Sequence, residues 1–289
     1  MDYEGHVIRP PSEARSILLQ VTVGCSHNRC AFCGTYRSVT FRVKEAATIE
    51  RDLSEAAWRF RSVRRLFLCD GDAVAMPHAQ LLDLLKLIRA RLPWVERIAS
   101  YASAVSLREK SQAELEELHA HGWALAYLGL ESGDDAVLTA MDKGASAAEI
   151  IAAGRRLRQV GIKCSVTTIL GLAGVAGSER HARLTGEALS AMDPDQAAVL
   201  TLMLVPGSPL FATARQGRFQ VPDAPSMLRE LRALLLHTTL TRGLFLADHA
   251  SNFLPLTLRL PGQKADALRL IDAALAGHLP LQSEARRGL

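Results

Sequence analysis

Six short apolar runs that alternate with amphipathic stretches constrain this chain more than any other feature. Ile17 to Val23, Arg65 to Cys69, Arg97 to Ala102, Ala124 to Leu130, Lys163 to Leu170 and Ala197 to Leu204 are nearly continuous in hydrophobicity, as parallel strands covered on both faces must be. Glu45 to Phe60, His78 to Arg91, Ser111 to His121, Ala147 to Val160 and Ser178 to Ala191 place apolar residues three and four apart with charges between. That is the spacing of helices with one buried face. Such an order implies right-handed crossovers and a parallel sheet curled into a partial (β/α)6 TIM-like barrel, an α/β fold. We expect this core over residues 13–215. After Arg215 the alternation lapses. A helix opened by Pro222 and Pro225 and running to about Arg242, then another over Lys264 to Ala276, mark 216–289 as a C-terminal helical extension packed over or beside the barrel, since about 75 residues fold alone only marginally.

In folds of this kind chemistry sits at the carboxyl ends of the strands, and the unusual residues of this sequence fall there. Asp70-Gly71-Asp72 follows the second strand, Glu131-Ser132-Gly133 the fourth, Gly171 to Gly177 the fifth and Pro206 to Pro209 the sixth. After the first strand comes Gly24-Cys25-Ser26-His27-Asn28-Arg29-Cys30-Ala31-Phe32-Cys33. Three thiols on one loop are one ligand short of what a tetrahedral zinc or a four-iron cluster takes from protein. A cluster held by Cys25, Cys30 and Cys33 keeps one iron open for a ligand, a requirement of chemistry rather than of structure. The alternative is zinc completed by His27 or by a distant Cys69, Cys164 or His. Cys69 and Cys164 occupy strand positions, where a thiol is a small buried hydrophobe.

The pattern resembles the radical S-adenosylmethionine (SAM) superfamily, on the strength of Cys25, Cys30 and Cys33 with Phe32 just before the last thiol. The commonest spacing in that superfamily has three residues between the first two cysteines, and this chain has four, Ser26 to Arg29. Gly129-Leu130-Glu131-Ser132-Gly133 is similar to the fourth-strand motif of the HemN, MiaB and elongator-like branch. The resemblance implies a [4Fe-4S] cluster on the three thiolates and SAM on the open iron. It implies an enzyme that cleaves SAM reductively to a 5'-deoxyadenosyl radical and takes hydrogen from a substrate, the cofactors doing the hard chemistry. It further implies cofactor contacts from Phe32, Gly71, Asp72, Glu131, Ser132, Lys143, Gly171 and Val205. Charge types agree: the ligand's ammonium needs a carboxylate and its carboxylate a cation, and Glu131, Asp72 and Lys143 supply them.

Each residue also has a plainer reading. Glu131 could cap the helix that follows, Asp72 could only shape a turn, and Lys143 could be a solvated charge. Gly171 to Gly177 does not have the G-x-G-x-x-G spacing of a dinucleotide loop. His249 and Asn252, in a polar turn of the extension, are the candidate catalytic residues if they reach the barrel mouth, and otherwise bond the local backbone. His181, in an amphipathic stretch, reads as a packing or surface residue.

Partners are bounded by charge and thiols. A net charge of +4 with dispersed Arg residues argues against nucleic acid as the main partner, so a small-molecule substrate is expected. The alternatives are a radical SAM enzyme modifying tRNA and a non-catalytic zinc or iron-sulfur protein. Arg29, Arg37 and Arg42 near the cysteine loop suit an acidic electron donor such as flavodoxin or ferredoxin. No apolar run reaches the roughly 18 residues of a membrane span, and the first residues lack a signal-peptide core. Five cysteines, three in one loop, suit the reducing cytoplasm.

Overall fold

The computed structural model describes residues 1–288. Its elements, in chain order, are β1 (Ile17–Gln20), β2 (Thr22–Val23), β3 (Arg42–Val43), α1 (Ala46–Arg59), β4 (Arg65–Cys69), α2 (His78–Arg91), β5 (Arg97–Ala102), α3 (Ala104–Arg108), α4 (Gln112–Ala120), β6 (Trp123–Glu131), α5 (Asp135–Ala140), α6 (Ala147–Gln159), β7 (Lys163–Leu170), α7 (Gly174–Met192), β8 (Gln196–Thr201), α8 (Pro209–Arg215), α9 (Ala224–His237), β9 (Gly243–Leu246), β10 (Thr257–Leu260) and α10 (Lys264–Leu275). Eight strands pair in the order β1-β4-β5-β6-β7-β8-β9-β10. The pairs β1/β4, β4/β5, β5/β6, β7/β8 and β8/β9 are parallel, and β9/β10 is antiparallel. An α/β fold with a parallel sheet is what the alternation of apolar runs requires.

Two compact units make up the chain, one of residues 1–28, 35–128 and 156–164, the other of 29–34, 129–155 and the chain from Ser165 onward. In the first, inward-facing aromatics fill the space under β4, β5 and β6: Phe67, Tyr101 and Tyr127 meet edge to face at centroid distances of 5.2, 5.8 and 6.0 Å, the geometry favoured by the ring quadrupole. Buried Glu13 accepts from Arg97 at 2.5 Å and from the Tyr127 hydroxyl at 2.6 Å, so the segment before β1 is tied to β5 and β6. Short helices carry their own start signals. Ser103 and Ser111 each form a capping box opening α3 and α4, satisfying N–H groups the helix leaves unpaired.

Three local departures from the sequence pattern matter for the site. The first apolar run is split at Val21: β1 stays in the main sheet, while β2 turns away to pair antiparallel with β3, and Val21 O accepts the Lys44 N–H at 2.9 Å. Helix α7 begins at Gly174, inside the stretch expected as loop. The segment after Arg215 is not only helical, because β9 adds to the parallel edge of β8 and β10 returns beside it. Both strands are four residues long, too short to show a period.

Phe67 is fully buried and anchors the aromatic cluster. Replacing it with Ala is expected to cost about 3–5 kcal/mol of stability, read as a lower urea midpoint with an unchanged slope.

Candidate active site

The carboxyl end of β4 meets the start of the cysteine loop within the first unit. Asp70 adopts φ +74°, a left-handed conformation uncommon for a residue with a side chain, and its carboxylate is nearly inaccessible. It accepts from Gln20 Nε2 at 2.9 Å, from Gly24 N–H at 3.1 Å and from the Tyr36 hydroxyl at 3.1 Å. Burial raises the Asp70 pKa above the ordinary carboxylate value against these bonds, which lower it. Gly71 lies against the first thiol: a Cβ there would fall 2.5 Å from Cys25 Cβ. Asp72 is fully buried and accepts from Ser26 Oγ at 3.0 Å, Ser103 Oγ at 2.7 Å and Ser106 Oγ at 3.0 Å; here too burial raises the pKa. Asp72, expected as a cofactor contact, therefore has both oxygens occupied by serines.

In the second unit, Cys30 and Cys33 share a tight turn, with Cys33 N–H donating to Cys30 O at 3.1 Å. Of the two residues between them, Ala31 is clamped on both sides, its N–H on Met141 O at 2.8 Å and its carbonyl accepting the Leu210 N–H at 2.9 Å. Val205 packs on the next residue, where a Cβ at Gly34 would come within 2.9 Å of its Cγ1. Cys25, Cys30, Phe32 and Cys33 are all half-buried.

Two residues beyond Met141, Lys143 reaches back to the end of β6, where its Nζ donates to Glu131 Oε1 at 2.9 Å. Gly129 makes room, since a Cβ there would strike Glu131 Oε1 at 2.2 Å and Lys143 Nζ at 2.7 Å. Glu131 has φ +62°, and its other oxygen, Oε2, is buried with no hydrogen-bond partner. The cap of α5 is Asp134, whose side chain accepts the Ala136 N–H, so Glu131 is not the cap.

Behind Glu131 lies a buried chain of polar groups that sequence reasoning missed. Ser132 Oγ bonds His181 Nδ1 at 2.7 Å, and His181 Nε2 donates to Ile169 O at 3.1 Å. Nε2 also stands 3.4 Å from Glu230 Oε1. Glu230 accepts the Gly171 N–H at 2.5 Å and the Ser178 hydroxyl. That 3.4 Å approach would be an ion pair only with both groups charged, yet burial pushes the His181 pKa down to about 4 and the Glu230 pKa up to about 7. We read the contact as one between neutral groups. Ser132 and Gly171, expected at the cofactor, are thus engaged in this network, and Met227 covers Gly171. The signal was present in α9: Glu230 stands on the face shared by Met227, Leu231 and Leu234, where a carboxylate must have buried partners.

The turn after β9 separates the two candidate catalytic residues. Asn252 is buried, its amide donating to Val199 O at 2.8 Å and its carbonyl accepting from Thr201 Oγ1 at 2.7 Å, both near the carboxyl end of β8. His249 is half-buried; its Nδ1 accepts the Ser251 N–H at 3.1 Å, and burial lowers its pKa. Beside the end of β8 a cavity of about 670 Å³ is lined by Leu202, Met203, Leu204, Pro222, Met227 and Phe253 among others. Arg29 lies 3.5 Å from Asp142 and Arg42 pairs with Glu4.

The donor set fits an iron-sulfur cluster with a zwitterionic ligand: three thiols on one loop, one buried carboxylate oxygen in need of a donor, and a cation beside it. Among the described residues no group of three His, Cys, Asp or Glu side chains is already arranged to hold a metal ion, so the fit rests on donor chemistry and not on a ready-made cage.

A parallel sheet with its polar residues at the strand ends and a three-thiol loop after the first strand defines a class, and comparison names it. The model of the radical SAM superfamily matches residues 19–184, and the chain belongs to that superfamily. The cofactors of that superfamily are a [4Fe-4S] cluster and SAM. No curated protein matches the chain. Among solved structures it is similar to methylornithine synthase (PylB), with 15% identity and a TM-score of 0.55 over 78% of this chain and 63% of that one. It is similar to coproporphyrinogen III oxidase (HemN) from Escherichia coli, with 18% identity and a TM-score of 0.56 over 76% and 52%. It is also similar to the radical SAM methyltransferase TsrM from Kitasatospora setae, with 17% identity and a TM-score of 0.59 over 93% and 55%. Identities this low establish the shared partial-barrel fold and nothing finer, and the matched region spans 52–63% of the length of those three proteins.

The buried network makes stability depend on pH in two opposed ways. Glu230, raised from 4.5 to about 7, contributes stability present below pH 4.5 and lost as pH rises to 7. His181, lowered from 6.5 to about 4, contributes stability present above pH 6.5 and lost as pH falls to 4. Each is worth on the order of 3 kcal/mol. Relative to wild type, Glu230→Gln should therefore gain stability as pH rises from 4.5 to 7, and His181→Gln should gain as pH falls from 6.5 to 4. Urea unfolding across this range measures both.

Proposed function

We propose that Cys25, Cys30 and Cys33 hold three irons of the cluster, and that Glu131 and Lys143 bind the ammonium and carboxylate of SAM. When bound, the cluster and SAM supply the reductive cleavage that yields a 5'-deoxyadenosyl radical able to take hydrogen from a substrate. The observation that carries this reading is Glu131 Oε2. A buried carboxylate oxygen without a donor costs about 1–3 kcal/mol, and this one sits at a strand end, oriented by Lys143. A ligand ammonium removes the cost and gains a charge-assisted bond.

The remaining residues divide by what they touch. Phe32 lies within the Cys30–Cys33 turn, Val205 packs just after it at Gly34, and Gly71 admits the Cys25 backbone. Ser132 and Gly171 act through the buried network that holds the ends of β6 and β7, as positioning residues. His249 remains the candidate for contact with substrate. The cavity beside β8 is within the range of small-molecule pockets and supports a small-molecule substrate. Residues 216–289 serve as the extension that packs beside β7 and β8, supplying Pro222, Met227 and Phe253 to that cavity. An acidic flavodoxin or ferredoxin supplies the electron, its approach steered by the positive charge of Arg29, Arg37 and Arg42. Thiolates that must stay reduced suit the cytoplasm.

Anaerobic reconstitution followed by dithionite and SAM tests this. Wild type should carry about four irons and four sulfides and release 5'-deoxyadenosine, and Ala at Cys25, Cys30 or Cys33 should abolish both. Glu131→Ala should keep its iron and bind SAM roughly 10- to 100-fold more weakly. Equimolar zinc without sulfide in the wild type, or unchanged SAM affinity in Glu131→Ala, overturns the assignment.

A further inference from the structure

The Asp70-Gly71-Asp72 turn grips the chain immediately before and after Cys25. Gly24, preceding the thiol, donates its N–H to Asp70 and accepts the Gly71 N–H on its carbonyl at 3.1 Å. Ser26, following it, donates its hydroxyl to Asp72. Between these points Gly71 approaches Cys25 so closely that any side chain would displace it. The return of the loop is secured by the same carboxylate, because the Tyr36 hydroxyl donates to Asp70. The amide of Asn28 then spans inside the loop to the carbonyls of Tyr36 at 2.6 Å and Val39 at 3.1 Å.

We propose that Asp70 and Asp72 are positioning residues that preorganise Cys25, so that the first cluster ligand is held in place by hydrogen bonds on both flanks before iron binds. This rests on the reading of Cys25 as a ligand given above. Without the loop, Gln20 would satisfy one oxygen of Asp70, and Ser103 and Ser106 both oxygens of Asp72. The bonds beyond these run to Gly24, Ser26 and Tyr36, all on the loop. Asp70 also holds a left-handed backbone, and conformations of this kind persist where surrounding bonds over-determine them. Preorganisation of this sort removes an ordering cost from the binding step.

Ser26 isolates the effect, because Ser26→Ala removes the single bond from Asp72 to the loop and leaves those to Ser103 and Ser106. Ser26→Ala, Ser26→Thr and Asp70→Asn are to be reconstituted beside wild type. The measurements are apoprotein melting temperature, loss of iron to EDTA, and the electron paramagnetic resonance spectrum of the dithionite-reduced cluster. Ser26→Ala and Asp70→Asn should lose iron about tenfold more readily and show an altered spectrum, Ser26→Ala with an unchanged apoprotein melting temperature, and Ser26→Thr should behave as wild type. If Asp70→Asn does not fold, the serine pair decides. A wild type that loads its cluster beside a Ser26→Ala variant with identical retention and spectrum sinks this inference alone, as does a Ser26→Thr variant as impaired as Ser26→Ala. A wild type that takes up no cluster sinks the proposed function and this inference with it.

Discussion

Burial of both faces of the parallel strands is the constraint from which the rest of this structure follows. Leu66, Phe67 and Leu68 of β4 and Leu125, Ala126 and Leu128 of β6 are all but inaccessible, so few side chains within these strands can meet solvent or a ligand. Polar chemistry is displaced to the points where strands end, and there the backbone must turn at once toward the next helix. Asp70 and Glu131, each the last or next residue of a strand, both take left-handed φ. The turn that frees a carboxylate from the sheet is the same turn that holds it half inside the protein.

A carboxylate so placed has to be satisfied from its surroundings, and the chain answers this in three ways. Asp70 and Asp72 are surrounded by donors from the loop and from α3. Glu230 is held mostly in its neutral form at pH below 7 by burial, with a backbone N–H and a hydroxyl on its oxygens. Glu131, at the end of β6, is left half-satisfied, one oxygen on Lys143 and the other without a donor. An unsatisfied buried polar atom in an otherwise well-paired neighbourhood is where a ligand contributes most.

The parts of this site legible in the sequence were those carried by adjacent residues. The cysteine loop, the Asp70-Gly71-Asp72 turn and the pair Glu131 and Lys143 could be named because a motif holds its members within a dozen positions. The helix boundaries of α2 and the limits of β4, β5 and β7 could also be read directly, since hydrophobic periodicity is a local property. The partners of Asp70 and His181 escaped, as did Glu230, although Glu230 betrays itself on the apolar face of α9. Their partners lie 46 residues away for Gly24 and Asp70, and 59 for Gly171 and Glu230.

By itself the sequence determined the α/β class, the alternation of the parallel strands with helices and the three-thiol loop, because each is encoded in spacing along the chain. Tertiary structure alone decided which polar residues are left for a ligand. It occupied Asp72, Ser132, Gly171 and Asn252 with protein partners and left Glu131 Oε2 without one. The physical reason is that hydrogen-bond satisfaction is a property of a whole neighbourhood: a donor from a distant element uses up an acceptor that looks free in the sequence.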